Sequence, residues 1–324
     1  MTHWFLAISL SCIMSLAGQA LAAGERPVIP AGKDNDLKLY LTGGNIVLGA
    51  SAMERMQKEA EVILWLAGNQ FFAMDKVIAA FQKRHPSIRV GLVTLPPGLL
   101  LDAIVAGGWR YQDRPYAGLP DVYASVNLGH LKKLKAIGLM DEYFIYMHNE
   151  LEIMVAAGNP KAIRGIGDLV RTDVQTSLPN PVNEGIMQFY ARRVLERHGY
   201  WTQIAAGKEC FSCQTTRNNW FTAVHHRETP ERIRDGLADA GIVWKTETLE
   251  AIRDGAKVSS VSLPAVDSLR DEVSYVIGAI KSSPREDAAE AFLNFVASAE
   301  GQAVYEQFGF VGATTEERKR RPVD

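Results

Sequence analysis

The pattern of hydrophobic and polar positions predicts alternating strands and helices from about residue 61 onward. Residues 62–66 form a short, continuous apolar run, which is typical of a strand buried on both faces. Met74, Val77, Ile78 and Phe81 then recur at the spacing of one helical stripe. Further strands are predicted at 88–93, 121–124, 151–156, 173–177, 240–244 and 258–263. This alternation predicts an α/β protein with mainly parallel sheets flanked by helices.

The two ends of the chain are less regular. Residues 23–56 carry Gly and Pro with weak periodicity, and they predict an N-terminal extension on the surface. Residues 283–286 (Ser-Pro-Arg-Glu) have the form of a capping box that opens a helix. The tail 316–324 is rich in Arg and Lys, and we expect it to be solvated and mobile.

The first residues indicate export. Residues 4–16 are a largely apolar run, and Ala20-Leu21-Ala22 follows as an A-x-A peptidase site. We therefore predict a signal peptide over residues 1–22, cleaved after Ala22. The segment Met1-Thr2-His3 carries no Lys or Arg, so an uncleaved anchor is the alternative.

Composition and charge exclude several classes of protein. The chain has 324 residues, 47% hydrophobic and 22% charged, which excludes a disordered chain or a collagen. Its 35 Lys and Arg against 37 Asp and Glu leave a formal charge of −2, so we expect no nucleic-acid partner. The length exceeds that of one usual hydrophobic core and predicts two lobes. No GxSxG, HExxH or P-loop motif is present, so we do not predict an enzyme.

Several segments, in order and at matching spacing along about 61–310, give the chain a family resemblance. They are LWLAGNQ (64–70), LPDVYAS (119–125), MVAAGNPK (154–161), PNPVNEG (179–185) and ADAGIVW (238–244). Through them the chain resembles the molybdate-binding family of type 2 periplasmic solute-binding proteins, which serve ABC importers.

The resemblance implies a two-lobe fold with two hinge segments, near 146–150 and 267–272. Lobe 1 would comprise 57–148 plus 272–324, and lobe 2 would comprise 149–271. It also implies a periplasmic monomer that clamps a small-molecule or ion ligand between the lobes and delivers it to a membrane permease.

Candidate ligand-binding residues follow the predicted strands, because in open α/β sheets ligands lie beyond the carboxyl ends of the strands, where helix N-termini attract anions. They are Asn69, Gln70, Ser125, Asn183, Glu184, His226 and Trp244, with Arg227 and Lys245 at the rim. Simple N-capping is the structural alternative for Asn69 and Asn183. Glu184, the prolines at 96–97 and the indole of Trp244 depart from the family's oxyanion loops. The expected ligand is therefore an oxyanion or other small anion, with a metal or chelate as the alternative.

The segment 210–226 contains two Cys and two His residues that could bind a metal or form a disulfide. Cys210 and Cys213 form a CxxC, for which we expect a structural disulfide in an oxidising compartment. A thioredoxin-like redox pair and a zinc site are alternatives, and haem attachment lacks the required His after the second Cys. We predict no resident cofactor, with a metal held by His225, His226 and Glu184 as the alternative. The alternative function is a periplasmic metal-binding or redox accessory protein that uses this segment.

Overall fold

The structure, a computed structural model, describes residues 26–29, 36–111, 114–223, 228–281 and 283–324. Within these ranges the strands form a sheet of nine, a sheet of six and a small sheet of three. None of the helices in the same ranges is both long and apolar enough to cross a membrane. The predicted signal peptide lies outside the described residues.

The largest sheet has parallel strands in its middle and antiparallel strands around them. Its spatial order is β17 (Val311–Gly312), β9 (Glu142–His148), β16 (Ser274–Ala279), β8 (Val122–Ser125), β4 (Val62–Ala67), β5 (Val90–Leu95), β2 (Leu37–Tyr40) and β3 (Ile46–Leu48), with β18 (Arg321–Pro322) also paired to β9. Strand β4 is parallel to β5 and to β8. The pairs β16–β8, β16–β9, β2–β5 and β2–β3 are antiparallel.

The second sheet repeats this plan. Its order is β12 (Cys213–Gln214), β13 (Asn219–Phe221), β11 (Thr176–Leu178), β14 (Ala240–Trp244), β10 (Leu151–Ala156) and β15 (Val258–Ser262). Strand β11 is parallel to β13 and β14, whereas β10 is antiparallel to β14 and β15. The predicted α/β class is confirmed, but the large sheets are mixed rather than mainly parallel. Parallel pairing is limited to three adjacent inner strands of each, β8-β4-β5 and β13-β11-β14.

Helices pack against both large sheets. Those that accompany the first are α1 (Gly49–Glu59), α2 (Phe71–Arg84), α3 (Pro97–Val105), α4 (Leu128–Ala136), α10 (Glu286–Ala297) and α11 (Ala299–Glu306). Those that accompany the second are α5 (Arg192–Arg197), α6 (Trp201–Ala205), α7 (Glu228–Arg234), α8 (Lys245–Arg253) and α9 (Ala265–Ser268). A π-helical turn, Met187–Ala191, leads directly into α5. The small sheet joins β1 (Val28–Ile29), β6 (Gly108–Tyr111) and β7 (Arg114–Ala117).

The chain passes between the large sheets twice, once between β9 and β10 and once between β15 and β16. We call the nine-stranded sheet with its helices the first lobe and the six-stranded sheet with its helices the second lobe. Strand β16 returns from the second lobe and enters the first sheet between β8 and β9. The predicted lobe boundaries at 148/149 and 271/272 stay predictions.

The hydrophobic core occupies both faces of the first sheet. Along β4, Val62, Leu64 and Leu66 point into one buried cluster, and Ile63 and Trp65 point into another. The first of these clusters continues through buried residues of β10, β11 and β14, so it spans both lobes. The continuous apolar run at 62–66 is therefore explained by burial on both faces of the strand.

Both chain ends differ from the sequence predictions. Residues 37–56, expected within a surface extension, contain β2, β3 and most of α1, and β2 is buried against β5. Lys38 interrupts the apolar pattern of β2, yet it is 7% exposed and its Nζ lies 2.6 Å from Asp75 Oδ1. The prediction of a mobile tail over 316–324 is wrong, because β18 pairs with β9 and Val323 is fully buried.

Candidate functional site

A small cavity lies between the two lobes and takes its walls from both. The lining residues are Gly68, Asn69, Pro96, Pro97 and Val126 from the first lobe, and Glu184, Gly185, Ile186 and Trp244 from the second. The centre of a water-sized sphere can occupy about 10 Å³ of it. This is room for about one water molecule, so the lobes are closed on each other.

The lining residues stand at the carboxyl ends of the parallel strands. Residues 68–69 follow β4, residues 96–97 follow β5, and Val126 follows β8. In the second lobe, Trp244 ends β14, and 184–186 lie in the connection between β11 and the π-helical turn. Since parallel strands end at one edge of a sheet, the fold collects these residues where helices begin. The start of α3 at Pro97 brings the positive end of a helix to the cavity.

Asn69 is held by a tyrosine of the first lobe. Its side chain is 3% exposed, and its Nδ2 donates a hydrogen bond to Tyr275 Oη. Tyr275 is completely buried, and burial raises the pKa of its hydroxyl well above the ordinary value. The hydroxyl is therefore neutral at physiological pH, and Asn69 has a fixed orientation at the cavity wall.

Trp244 is an aromatic wall of the cavity and is 1% exposed. Its ring meets the rings of Tyr190 at 5.5 Å and Tyr275 at 5.9 Å between centroids. Its backbone N–H donates to Glu247 Oε2 at 3.1 Å, which ties the end of β14 to the first turn of α8. The indole thus packs between elements of both lobes.

Glu184 lines the cavity, but one of its oxygens serves the local chain. Its Oε1 accepts hydrogen bonds from Asn180 N at 3.1 Å, from Asn180 Nδ2 at 2.8 Å and from Thr222 Oγ1. The carboxylate therefore fixes the loop that follows β11. Its charge also acts on a neighbour: burial raises the pKa of Glu228, and the negative charge of Glu184 raises it further.

Three other predicted ligand residues have their polar atoms engaged elsewhere. Gln70 is fully buried, and its Nε2 donates to Tyr146 Oη at 2.9 Å. Ser125 Oγ lies 3.0 Å from His130 Nδ1. Lys245 Nζ lies 2.6 Å from Glu150 Oε1, beside the first crossing between the lobes. These residues are not among those that line the cavity, and their role in binding stays a prediction.

Two glycines, Gly98 and Gly185, lie at points where the lobes approach each other closely. A methyl group added at Gly98 would lie 2.9 Å from the backbone oxygen of Asn183. One added at Gly185 would lie 2.7 Å from Val126 Cγ2 and 3.1 Å from Pro97 Cγ. Such distances are possible only because neither glycine has a side chain. Asn183 Oδ1 is buried without a hydrogen-bond partner among the described residues.

A buried histidine, missed by the sequence analysis, adds to this contact. His130 is 2% exposed, and its ring lies 4.9 Å from that of Phe189 in the second lobe. Its Nδ1 is 3.1 Å from Tyr123 Oη in addition to the Ser125 contact. Burial, helped by the charge of Lys133, lowers the pKa of His130 to about 4. The ring is therefore neutral at pH 7.

The CxxC segment forms a disulfide between Cys210 and Cys213, as predicted. Both sulfurs are used in this bond, so in this form neither can bind zinc. Residues His225, His226 and Arg227 lie outside the described residues. Among the residues that are described, no group of three or more His, Cys, Asp or Glu side chains is placed to hold a metal ion.

The sequence analysis also missed residues that surround the predicted ones. Gly68, Val126, Gly185 and Ile186 line the cavity, and their signal was their place directly after buried strands or beside a predicted ligand residue. Tyr275 had no such signal, because it lies inside a strand. Its role depends on which side of β16 faces the cavity.

Comparison with known proteins agrees with this architecture. A family model described as bacterial extracellular solute-binding protein matches residues 62–311. The molybdate-binding protein ModA of Mycobacterium tuberculosis (strain H37Rv) is 23% identical over 264 residues, covering 78% of this chain and 85% of that protein.

Solved structures share the fold. The periplasmic molybdate-binding protein of Azotobacter vinelandii superimposes with a TM-score of 0.59 at 18% identity, covering 78% of this chain and all of that one. The sulfate-binding protein SubI of M. tuberculosis H37Rv gives a TM-score of 0.59 at 18% identity, covering 79% and 88%. The two-lobe periplasmic-binding-protein fold predicted from the sequence is confirmed.

Proposed function

Since the chain belongs to the family of bacterial extracellular solute-binding proteins, we propose that it is the receptor of an ABC-type importer and closes its lobes around one small oxyanion. The observation that carries this proposal is the cavity between the lobes. The residues of its walls follow the strands β4, β5, β8 and β11 or end the strand β14. Closure around a solute would replace its hydration shell with groups of both lobes, and this exchange would select the guest.

The size of the cavity supports a small guest. With room for about one water molecule, the closed lobes admit no sugar or peptide. Among the classes of solute, a small four-oxygen anion comes nearest to this size. Pro96, Pro97, Val126, Ile186 and Trp244 give most of the lining an apolar character, so few groups would decide the specificity.

The chemistry of the walls favours an anion over a metal ion. The first turn of α3 leaves the N–H groups of Gly98 and Leu99 without intrahelical acceptors, at the positive end of the helix. Glu184 is the carboxylate in the lining, and its Oε1 already receives three hydrogen bonds from its own lobe. The relatives named for molybdate and sulfate agree with this choice.

The receptor would be exported, work in the periplasm as a monomer, and pass its solute to a membrane permease. The apolar segment at 4–16 and the A-x-A site support export. Family membership supports a role in transport rather than catalysis.

A thermal-shift screen followed by calorimetric titration tests the proposal. The candidates are molybdate, tungstate, sulfate and phosphate, against zinc, nickel and glucose. A true solute at about 100 times its Kd should add about 2.7 kcal/mol to the free energy of unfolding. Binding of a metal ion but of no oxyanion would contradict the proposal, and with free thiols it would favour the metal-binding or redox accessory protein.

The variant Glu184→Gln distinguishes an anionic ligand from a cationic one. Removing this negative charge should leave oxyanion affinity unchanged or raise it, because the carboxylate repels an anion. A bound cation would instead lose much of its affinity. Glu196→Gln is the control, since Glu196 is on the surface and pairs with Arg192 on the same helix.

A further inference from the structure

A chain of buried hydrogen bonds joins the two walls of the cavity through the first crossing between the lobes. Asn149 lies on that crossing, between β9 and β10. Its Nδ2 donates to Thr246 Oγ1 of the second lobe at 2.9 Å and to Tyr275 Oη of the first lobe at 3.2 Å. The same Tyr275 oxygen accepts from Asn69 Nδ2. Thr246 follows the cavity residue Trp244 by two positions.

We infer that Asn149 and Tyr275 are positioning residues that orient Asn69 and hold the two cavity walls together, so that they favour closed lobes with or without a solute. This inference rests on the proposed function, because orienting Asn69 matters only if the cavity binds a solute. We call the chain Asn69–Tyr275–Asn149–Thr246 the latch.

Burial gives the latch its effect on closure. Asn69, Asn149, Thr246 and Tyr275 are at most 4% exposed. A buried polar group that loses its hydrogen-bond partner cannot bond to water instead, so the closed form is destabilised by the full cost of the missing bond. In an open form, water would reach the same groups and replace the missing bonds. Removing a latch bond therefore shifts the balance toward open lobes.

A second buried network nearby provides a matched control. Tyr305 Oη donates to Gln70 Oε1 at 3.1 Å, and Gln70 Nε2 donates to Tyr146 Oη. Tyr305 is as deeply buried as Tyr275. These three residues belong to the first lobe, so the loss of the Tyr305 hydroxyl disturbs a buried tyrosine without touching a bond between the lobes.

Small-angle X-ray scattering of the full-chain protein, dialysed and without added solute, tests the latch directly. We expect the wild-type profile to fit the closed structure. Tyr275→Phe and Asn149→Ala should have larger radii of gyration, whereas Tyr305→Phe should match the wild type. Thr246→Val should expand the molecule, and Thr246→Ser should restore the wild-type profile because it keeps the hydroxyl.

Titration with molybdate and with sulfate forms a second arm. Asn149→Ala loses both hydrogen bonds of the latch and the one that Glu150 N donates to Asn149 Oδ1, and it should weaken binding about tenfold or more. Tyr305→Phe should stay within about twofold of the wild type. If the wild type binds neither anion, the oxyanion proposal fails, while the scattering still decides on the latch. A wild type that is open without solute, or Tyr275→Phe with the wild-type profile and the thermal stability of Tyr305→Phe, would overturn the inference.

Discussion

Gly98→Ala should have opposite effects on the stability of a lobe and on closure of the cleft. Gly98 is the second residue of α3, and its backbone is helical. In a helix, Ala is more favourable than Gly by about 0.5–1 kcal/mol. With the lobes apart, the methyl group should therefore stabilise α3 by this amount. Without solute, where the latch favours closed lobes, the clash described next opposes this gain.

With the lobes closed, the new methyl group would clash. It would lie 2.9 Å from Asn183 O and 3.3 Å from Asn183 Cα, which are backbone atoms of the other lobe. To restore ordinary contact, the walls must separate by about 0.5 Å, and overpacking of this kind costs about 1–3 kcal/mol. At 1.4 kcal/mol for each factor of ten, Kd should rise about 5- to 150-fold.

The assay combines two measurements on each variant. Urea unfolding without solute gives the stability, and calorimetric titration with the solute found by thermal shift gives Kd. Gly165→Ala is the control, because a methyl group there meets nothing within 4 Å. Gly185→Ala tests the same contact from the other lobe. An unchanged Kd in both Gly98→Ala and Gly185→Ala would refute the closed geometry described here.

Three further predictions concern pH, the disulfide and the core. As pH falls from 6.5 toward 4, His130 becomes protonated in the unfolded chain but stays neutral in the folded one, so the free energy of unfolding should fall by up to about 3 kcal/mol. In urea titrations at each pH, the free energy of unfolding of His130→Gln should depend less on pH than that of the wild type. Cys213→Ser opens a short loop and should cost about 2 kcal/mol by the same method; no loss would mean that the bond does not form. Asp121→Ala should cost about 3–5 kcal/mol, because Asp121 is fully buried and accepts from Ile63 N while facing Arg285; a loss below 1 kcal/mol in thermal unfolding would contradict that role.

Three residues of the cavity wall could be located from the sequence, because strand ends are visible in the apolar pattern. Trp244 ends β14 and Glu184 follows the parallel strand β11 of the same sheet. Asn69 follows β4 of the other large sheet and meets them where the lobes face each other. The direction of each side chain could not be predicted in the same way. Gln70 is the next residue after Asn69, yet the helical rotation turns its amide into the first lobe toward Tyr146.

The errors at the chain ends have a common physical cause. Strand β2 contains Lys38, whose charge is compensated by Asp75 rather than by water. In the tail, Arg321 pairs in β18 beside Tyr143, while Val323 supplies the buried anchor. Local composition marks such segments as exposed, whereas partners far away in sequence decide their burial.

The insertion of β16 between β8 and β9 has a consequence for biosynthesis. A ribosome makes the central strands of this sheet early, but the strand at 274–279 that fills the gap arrives after the whole second lobe. Until then, the edges of β8 and β9 lack their shared neighbour, and stable folding must wait for a contact across some 150 residues of chain. Such a delay keeps the nascent polypeptide unfolded for longer. This suits a family described as extracellular, whose members must leave the cytoplasm.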